Sequence, residues 1–355
     1  RGRSRTMIES LRLQNFKGHR DTTIEFGRLT VLVGPNGSGK TSVLQALGAL
    51  ALRNDKPSEH IFRGNLDPQI LLTRGQRGPI TIHAAGHTAG APWHIAVTCT
   101  ADTDRWQFAT DHDGHATHLH ALTKFRFDAE RIAAPAYDED AQGRVQPDGK
   151  NTATALMTLL VANDGSFAAV EDALKRLVPS VERIRLRPAF VSGRDAFTKS
   201  AVTDDIAKLK LTGQGIVFDF KNAPDLPAHA ASEGTLVLLA LLTALHANGP
   251  RGAILIDDIE HSLHPTAQIE LMKHLRGLLD QMPDLQIVAT THSPYILDGV
   301  DPSDVRVFYP RDDGTIVTKR LSDHPDAQRV KGMLSSGELW SAESEAWVLA
   351  EDAAQ

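Results

Sequence analysis

Apolar and polar positions alternate in three short runs at the start of the chain, Ile8 to Leu13, Thr22 to Phe26 and Leu29 to Val33. Alternation puts every second side chain on one face of an extended segment, so three strands are expected. The pattern then changes. Ser42 to Arg53 is rich in Leu and Ala and follows a glycine-rich stretch, so a helix begins there. Strand signals return at Ile80 to Ala85, His94 to Thr100 and Arg105 to Thr110, separated by Gly, Pro and Asp turns, as in an antiparallel meander. Asn151 to Leu177 and Ala201 to Leu211 read as helical, with Pro135, Pro147, Pro179 and Pro188 punctuating their surroundings. Near the C-terminal end, apolar Ala253 to Ile256 and Gln286 to Thr290 flank a helical Thr266 to Met282, a rhythm that calls for a parallel sheet.

Composition narrows the class. The 355 residues are 41% hydrophobic and 23% charged, enough for one large domain carrying an insertion or for two smaller ones. The longest apolar stretch, Leu236 to Leu245, is broken by Thr243 and falls well short of the roughly 20 residues a bilayer span needs, so no membrane partner is expected. The single cysteine, Cys99, excludes an internal disulfide and suits a reducing compartment, which points to the cytoplasm. A net charge of -6 argues against a protein that coats nucleic acid by bulk electrostatics. Arg183, Arg185 and Arg187, and Lys199, Lys208 and Lys210, form modest basic groups that read as solvated faces. Residues 1–6, RGRSRT, read as a non-native leader ahead of Met7.

Chemistry enters at Gly34 to Thr41. GPNGSGKT matches the P-loop pattern and stands between an apolar strand-like run and a helix, the context that the pattern requires. Backbone amides of Asn36, Gly37, Ser38, Gly39, Lys40 and Thr41 are expected to wrap a polyphosphate. Lys40 should reach the β- and γ-phosphates, and the Thr41 hydroxyl should ligate Mg²⁺. Ser232, Glu233 and Gly234 precede a helix expected over Thr235 to Asn248; a Ser-x-Gly at a helix start is an anion site or an ordinary cap. The apolar strand AILIDD ends in Asp257 and Asp258, where an α/β nucleotidase holds its metal and its attacking water. The strand of QIVATTHSP ends in His292, which is assigned a catalytic or γ-phosphate-sensing role.

Taken together these segments resemble the RecF, SMC and OLD-type group of ABC ATPases, often described as AAA family ATPases. The resemblance is carried by LRLQNFKGHRDTTIEFGRLTVLVGPNGSGKTSVLQAL, ASEGTLVLLALL, ILIDDIEHSLHP and TTHSPYIL. It implies an α/β fold: an ABC-type P-loop head with a mixed, largely parallel core sheet, an antiparallel β side lobe and a helical insertion. The expected division is 7–110 and 216–322 for the two parts of the head, 111–215 for the insertion and 323–355 for a helical tail. It also implies ATP and Mg²⁺ as cofactors, with Lys17 beside the nucleotide, Asp257 at the metal, and Ser232 and Gly234 contacting the γ-phosphate held by a second copy, so that ATP sandwiches a homodimer. The insertion has no long heptad array and no CxxC pair, which excludes an extended coiled-coil arm with a metal hook.

Two roles follow: a DNA maintenance or DNA-sensing ATPase, or a regulatory ATPase of a bacterial anti-phage defence or toxin-like module. The chain ends too soon after His292 for the Toprim nuclease domain of OLD-type proteins, so a nuclease or toxin effector is expected on a separate polypeptide. HDGHATHLH at His112 to His120 reads as an exposed hairpin rather than a metal site, and Leu339, Trp340, Ala346 and Trp347 as a stripe docking on the chain's own core. Glu130, Arg131 and Gln142 fall where a glutamine loop would lie, and none is singled out.

In the group this chain resembles, the position of Asp258 is usually glutamate. Aspartate is one methylene shorter and reaches an attacking water less well, with Glu260 placed to assist. Turnover is therefore expected at or below about 1 s⁻¹, the low end for enzymes. In a steady-state phosphate-release assay Asp258→Ala should be inactive; a variant as fast as the parent would remove Asp258 from the site.

Overall fold

The computed structural model describes residues 6–51, 68–88, 91–100, 105–110, 122–137, 143–196, 204–247, 252–330, 332–342 and 345–349. Down the chain run β1 (Thr6–Phe16), β2 (His19–Glu25), β3 (Leu29–Val33), α1 (Lys40–Ala51), β4 (Ile80–Thr88), β5 (Ala91–Thr100), β6 (Arg105–Thr110) and β7 (Thr123–Phe125). Next come α2 (Thr152–Ala162), α3 (Ser166–Leu177), β8 (Val181–Ser192), β9 (Lys210–Phe220), β10 (Ala223–Pro227) and α4 (Glu233–Ala247). The last part holds β11 (Gly252–Ile256), α5 (Pro265–Gln281), β12 (Leu285–Thr290), β13 (Val305–Pro310), β14 (Ile316–Arg320) and α6 (Ser336–Ala342). The chain forms two compact units: residues 1–124, 251–260 and 275–355, and residues 125–250 with 261–274. This division does not follow chain order, and the segment from 216 to 247, expected in the head, belongs to the second unit.

The first unit is built on a six-stranded sheet in the order β14-β13-β3-β12-β11-β7. β11, β12, β3 and β13 are parallel, and β14 is antiparallel at one edge. Every residue of β3 and β12 is buried, which accounts for their near-continuous apolar runs. A second, antiparallel sheet has the order β2-β1-β4-β5-β6. The expected meander is present as β4 to β6, but β1 and β2 join it, while only β3 of the three opening strands enters the parallel sheet. Leu11, Leu13 and Phe16 of β1, Leu44 and Leu47 of α1, and Leu255 and Val288 of the parallel sheet share one buried cluster, with the cysteine Cys99.

In the second unit α4 is buried from Thr235 through Leu245, apolar on all sides because α2, α3 and the short helix Ala129–Ala133 pack around it. None of the described helices is long and apolar enough to cross a membrane. The helix expected over Ala201 to Leu211 is a correction. Only Asp204–Ala207 is helical among the described residues, and Lys210 and Leu211 begin β9, paired with Ser192 and Val191 of β8. Eleven cross-strand pairs outweigh the local helical tendency. On this hairpin Arg185 is paired with Asp219 and Asp225, and Arg187 with Asp225, so their charge is met within the unit. Lys208 and Lys210 are exposed, and Lys199 lies outside the described residues. In the tail Leu339 is buried, Trp347 stands edge-on to His324, and Ala346 is exposed.

Gln286 on β12 clips the two sheets of the first unit together. Its side chain is 1% exposed, donates to the carbonyls of Ile8 and Gly27 at 2.7 and 2.9 Å, and accepts the Ile8 amide at 3.0 Å, where β1 carries a register irregularity. Gln286→Leu keeps the volume and strands three backbone groups. It is expected to cost about 1–3 kcal/mol in urea-induced unfolding, and an unchanged midpoint would show that the clip is dispensable.

Candidate functional site

The turn between β3 and α1 is held open by glycines that nothing larger can replace. Gly34 has φ 140°, and a Cβ there would lie 2.1 Å from the Phe308 carbonyl oxygen of β13. Gly39 has φ 87°, and its Cβ would meet Ile316 of β14 at 2.4 Å and His19 of β2 at 2.6 Å. His19 is buried, and its Nε2 stands 3.3 Å from the Gly39 carbonyl, which can only accept, so Nε2 carries the proton. Burial pushes this histidine down to about 4. The ring is therefore neutral at pH 7 and supports the turn as a donor. The Lys40 ammonium donates to the carbonyls of Gly34 and Pro35 at 2.8 and 3.0 Å and to the Ser38 hydroxyl at 3.4 Å. Burial lowers the Lys40 amine, opposed by the carboxylates of Asp258, Glu260, Asp257 and Glu345.

Asp257, just beyond β11, has a side chain 8% exposed. One carboxylate oxygen accepts from the Thr41 hydroxyl at 3.1 Å and the Thr290 hydroxyl at 2.9 Å; the other lies 3.2 Å from the Lys124 ammonium. Thr290 also accepts the Asp258 amide at 2.8 Å, which fixes the turn after the strand. Asp258 has φ 52°, a left-handed conformation that aspartate tolerates better than most residues, and its side chain is exposed toward the site.

Lys17, Asn36, Gly37, Gly39, Lys40, Thr41, Asp258 and His292 line one cavity of about 500 Å³, together with Gly18, Ser42, Gly314 and Ile316. Lys17 has φ 55° and donates to Gln45 at 2.6 Å; burial, helped by the charge of Lys124, lowers its amine to about 8. Glu260, expected to assist Asp258, is hydrogen-bonded to the histidine loop. Its two carboxylate oxygens accept from the Thr291 hydroxyl and the His292 amide, both at 2.7 Å, so it holds the histidine loop in place.

In the second unit Ser232 is exposed at the start of α4 and caps it, its hydroxyl accepting the Thr235 amide at 3.3 Å. A Cβ on Gly234 would lie 2.4 Å from the Ser262 carbonyl, so glycine is required by close packing there. Glu130 is exposed, Arg131 pairs with Asp128 and Asp148, and Gln142 and the His112 to His120 segment lie outside the described residues. Sequence reading missed Lys124, Thr290 and His19. The available signals were a lysine in a three-residue strand next to β11, a second threonine before the histidine, and a histidine just after the Lys17-Gly18 turn.

A family model described as "AAA domain, putative AbiEii toxin, Type IV TA system" matches residues 102–298, and one described as "AAA ATPase domain" matches residues 7–86. Among curated proteins, the Septu protein PtuA of Bacillus mycoides (strain KBAB4) is 23% identical over 352 residues, covering 93% of this chain and 44% of that protein. The OLD nuclease of Thermus scotoductus is 24% identical over 322 residues, covering 82% of this chain and 60% of that protein. The chain thus spans about half the length of these relatives. Among solved structures, an SMC head bound to the C-winged helix domain of ScpA superposes with a TM-score of 0.63 at 14% identity, covering 91% of this chain and 99% of that one. That likeness is one of fold.

Glu260→Gln retains an acceptor for one donor and turns an amide NH₂ toward the other. The variant is expected to lose about 1–2 kcal/mol of stability and to turn over more slowly with unchanged nucleotide affinity. Equal stability and kcat would show that the Glu260 carboxylate does not position the loop.

Proposed function

The chain belongs to the AAA-domain family described by the model that spans 102–298 and is an ATPase of the RecF, SMC and OLD-type ABC group, and from that premise we propose that it acts as a slow, ATP-gated clamp. In this reading the amides of Asn36 to Thr41 and the ammonium groups of Lys40 and Lys17 hold the polyphosphate. Mg²⁺ is held by Thr41 and Asp257, a pair of hard oxygen donors at 3.1 Å that suits this cation. Mg²⁺ supplies charge neutralisation on the phosphates. Asp258 orients the attacking water, and His292 meets the γ-phosphate, its backbone fixed by Glu260.

The observation that carries the clamp is the paired character of the groups. The described lining of the cavity comes from the first unit. In the second unit Ser232 is exposed at the N-terminus of a 15-residue helix, where free amides and the helix dipole favour an anion. A second copy would offer its Ser232 and Gly234 to the nucleotide of the first, giving a homodimer closed by two ATP molecules. The closed dimer, more than turnover, is then the output. The family description and the alignment with a Septu protein favour a regulatory role in a cytoplasmic toxin-like or anti-phage module, acting on a separate nuclease or toxin. DNA is the trigger that similarity to an OLD nuclease suggests.

Light scattering tests the clamp. With ATP, Asp258→Asn should elute as a dimer and without it as a monomer, asparagine retaining the left-handed backbone while slowing hydrolysis about 100-fold. Adding Ser232→Arg should leave ATP binding intact and abolish the dimer; a double variant that still dimerises would overturn the clamp. Stimulation of ATP hydrolysis by DNA tests the trigger separately, and no response to any DNA form would exclude it.

A further inference from the structure

Asp257 is a buried carboxylate with two kinds of partner. The hydroxyls of Thr41 and Thr290 satisfy one oxygen without neutralising its charge. The charge is met at the other oxygen by the Lys124 ammonium, 3.2 Å away. Burying a carboxylate is costly unless it is both hydrogen-bonded and paired, so the ion pair is a condition of the site's structure. Lys124 reaches it from β7, the strand beside β11 at the edge of the parallel sheet, and its side chain is 26% exposed, so it is not locked in by packing. Its charge also acts on Lys17, which lines the cavity.

We propose that Lys124 is a tethered counter-ion of the nucleotide site, holding Asp257 in competition with a divalent cation and turning to the polyphosphate when metal and nucleotide bind together. This rests on Asp257 as the metal-holding carboxylate. An ammonium and a divalent cation on one carboxylate repel each other, so bare metal is disfavoured. A polyphosphate changes the balance by adding several negative charges and acceptors, enough for the metal and for Lys124, Lys17 and Lys40 together. The lysine thereby makes metal uptake conditional on nucleotide. Without nucleotide Lys124 is a positioning residue, acting through Asp257.

Mn²⁺ titration, followed by the paramagnetic resonance signal of the free ion, tests this without reference to turnover. Without nucleotide, Lys124→Met should bind Mn²⁺ about tenfold more tightly than the parent. Lys124→Arg, which keeps the charge, should match the parent, and the gain should vanish in a Lys124→Met/Asp257→Asn double variant. With a non-hydrolysable ATP analogue the gain should shrink below about threefold. Should Lys124→Met fold poorly by thermal melt, Lys124→Gln gives the same comparison. Equal or weaker Mn²⁺ binding by the uncharged variants overturns the role of Lys124. The two readings separate in the nucleotide complex: if Asp257→Asn weakens Mn²⁺ binding there, Asp257 still holds the metal, and if it has no effect, that placement falls as well.

Discussion

The buried carboxylate of Asp257 is the constraint around which the first unit is organised. A charge held at 8% exposure needs partners. They come from three segments remote in sequence: Thr41 at the start of α1, Lys124 on β7 and Thr290 at the end of β12. Only a sheet that sets β3, β12, β11 and β7 side by side, with parallel strands ending at the same edge, brings these groups to one point. The strand order and the site's charge balance are thus one requirement.

Strands of both sheets have a comparable part in the P-loop. His19 on β2 sits beneath Gly39 as a neutral donor, Ile316 of β14 fills the space beside it, and the Phe308 carbonyl of β13 closes on Gly34. A turn pressed from three strands cannot drift when its own lysine changes partners. In the proposed function this rigidity would let Lys40, now donating to carbonyls of the turn, exchange them for phosphate oxygens without rebuilding the loop.

The second unit links the start of α4 to the loop that follows the acidic strand. Gly234 packs on the Ser262 carbonyl, and Glu233 faces His261 at 3.5 Å. Ser262 has φ 60°, and Asp258, a few residues earlier, has φ 52°. Two left-handed residues within one short loop leave it few alternative paths.

The candidate site was legible in part because several of its groups stand in short contiguous stretches. GPNGSGKT is one continuous backbone segment between β3 and α1, and ILIDD and QIVATTHSP each place their polar residues at a strand's end. The runs of β3 and β12 are nearly all apolar because both faces are covered, with Thr30 in one and Gln286 and Thr290 in the other as the polar exceptions. Tertiary structure decided the rest. The three opening strands look alike in sequence yet part between two sheets, and Lys210 and Leu211 lie in a strand because β8 offers them partners. Lys124, Thr290 and His19 carry no local signature, nor does the bonding of Glu260 to the His292 loop. Their functions arise from through-space contacts with groups far along the chain. Periodicity and spacing report only what neighbours in sequence do to one another, so they could point to the residues of the candidate site but not to those that hold them in place.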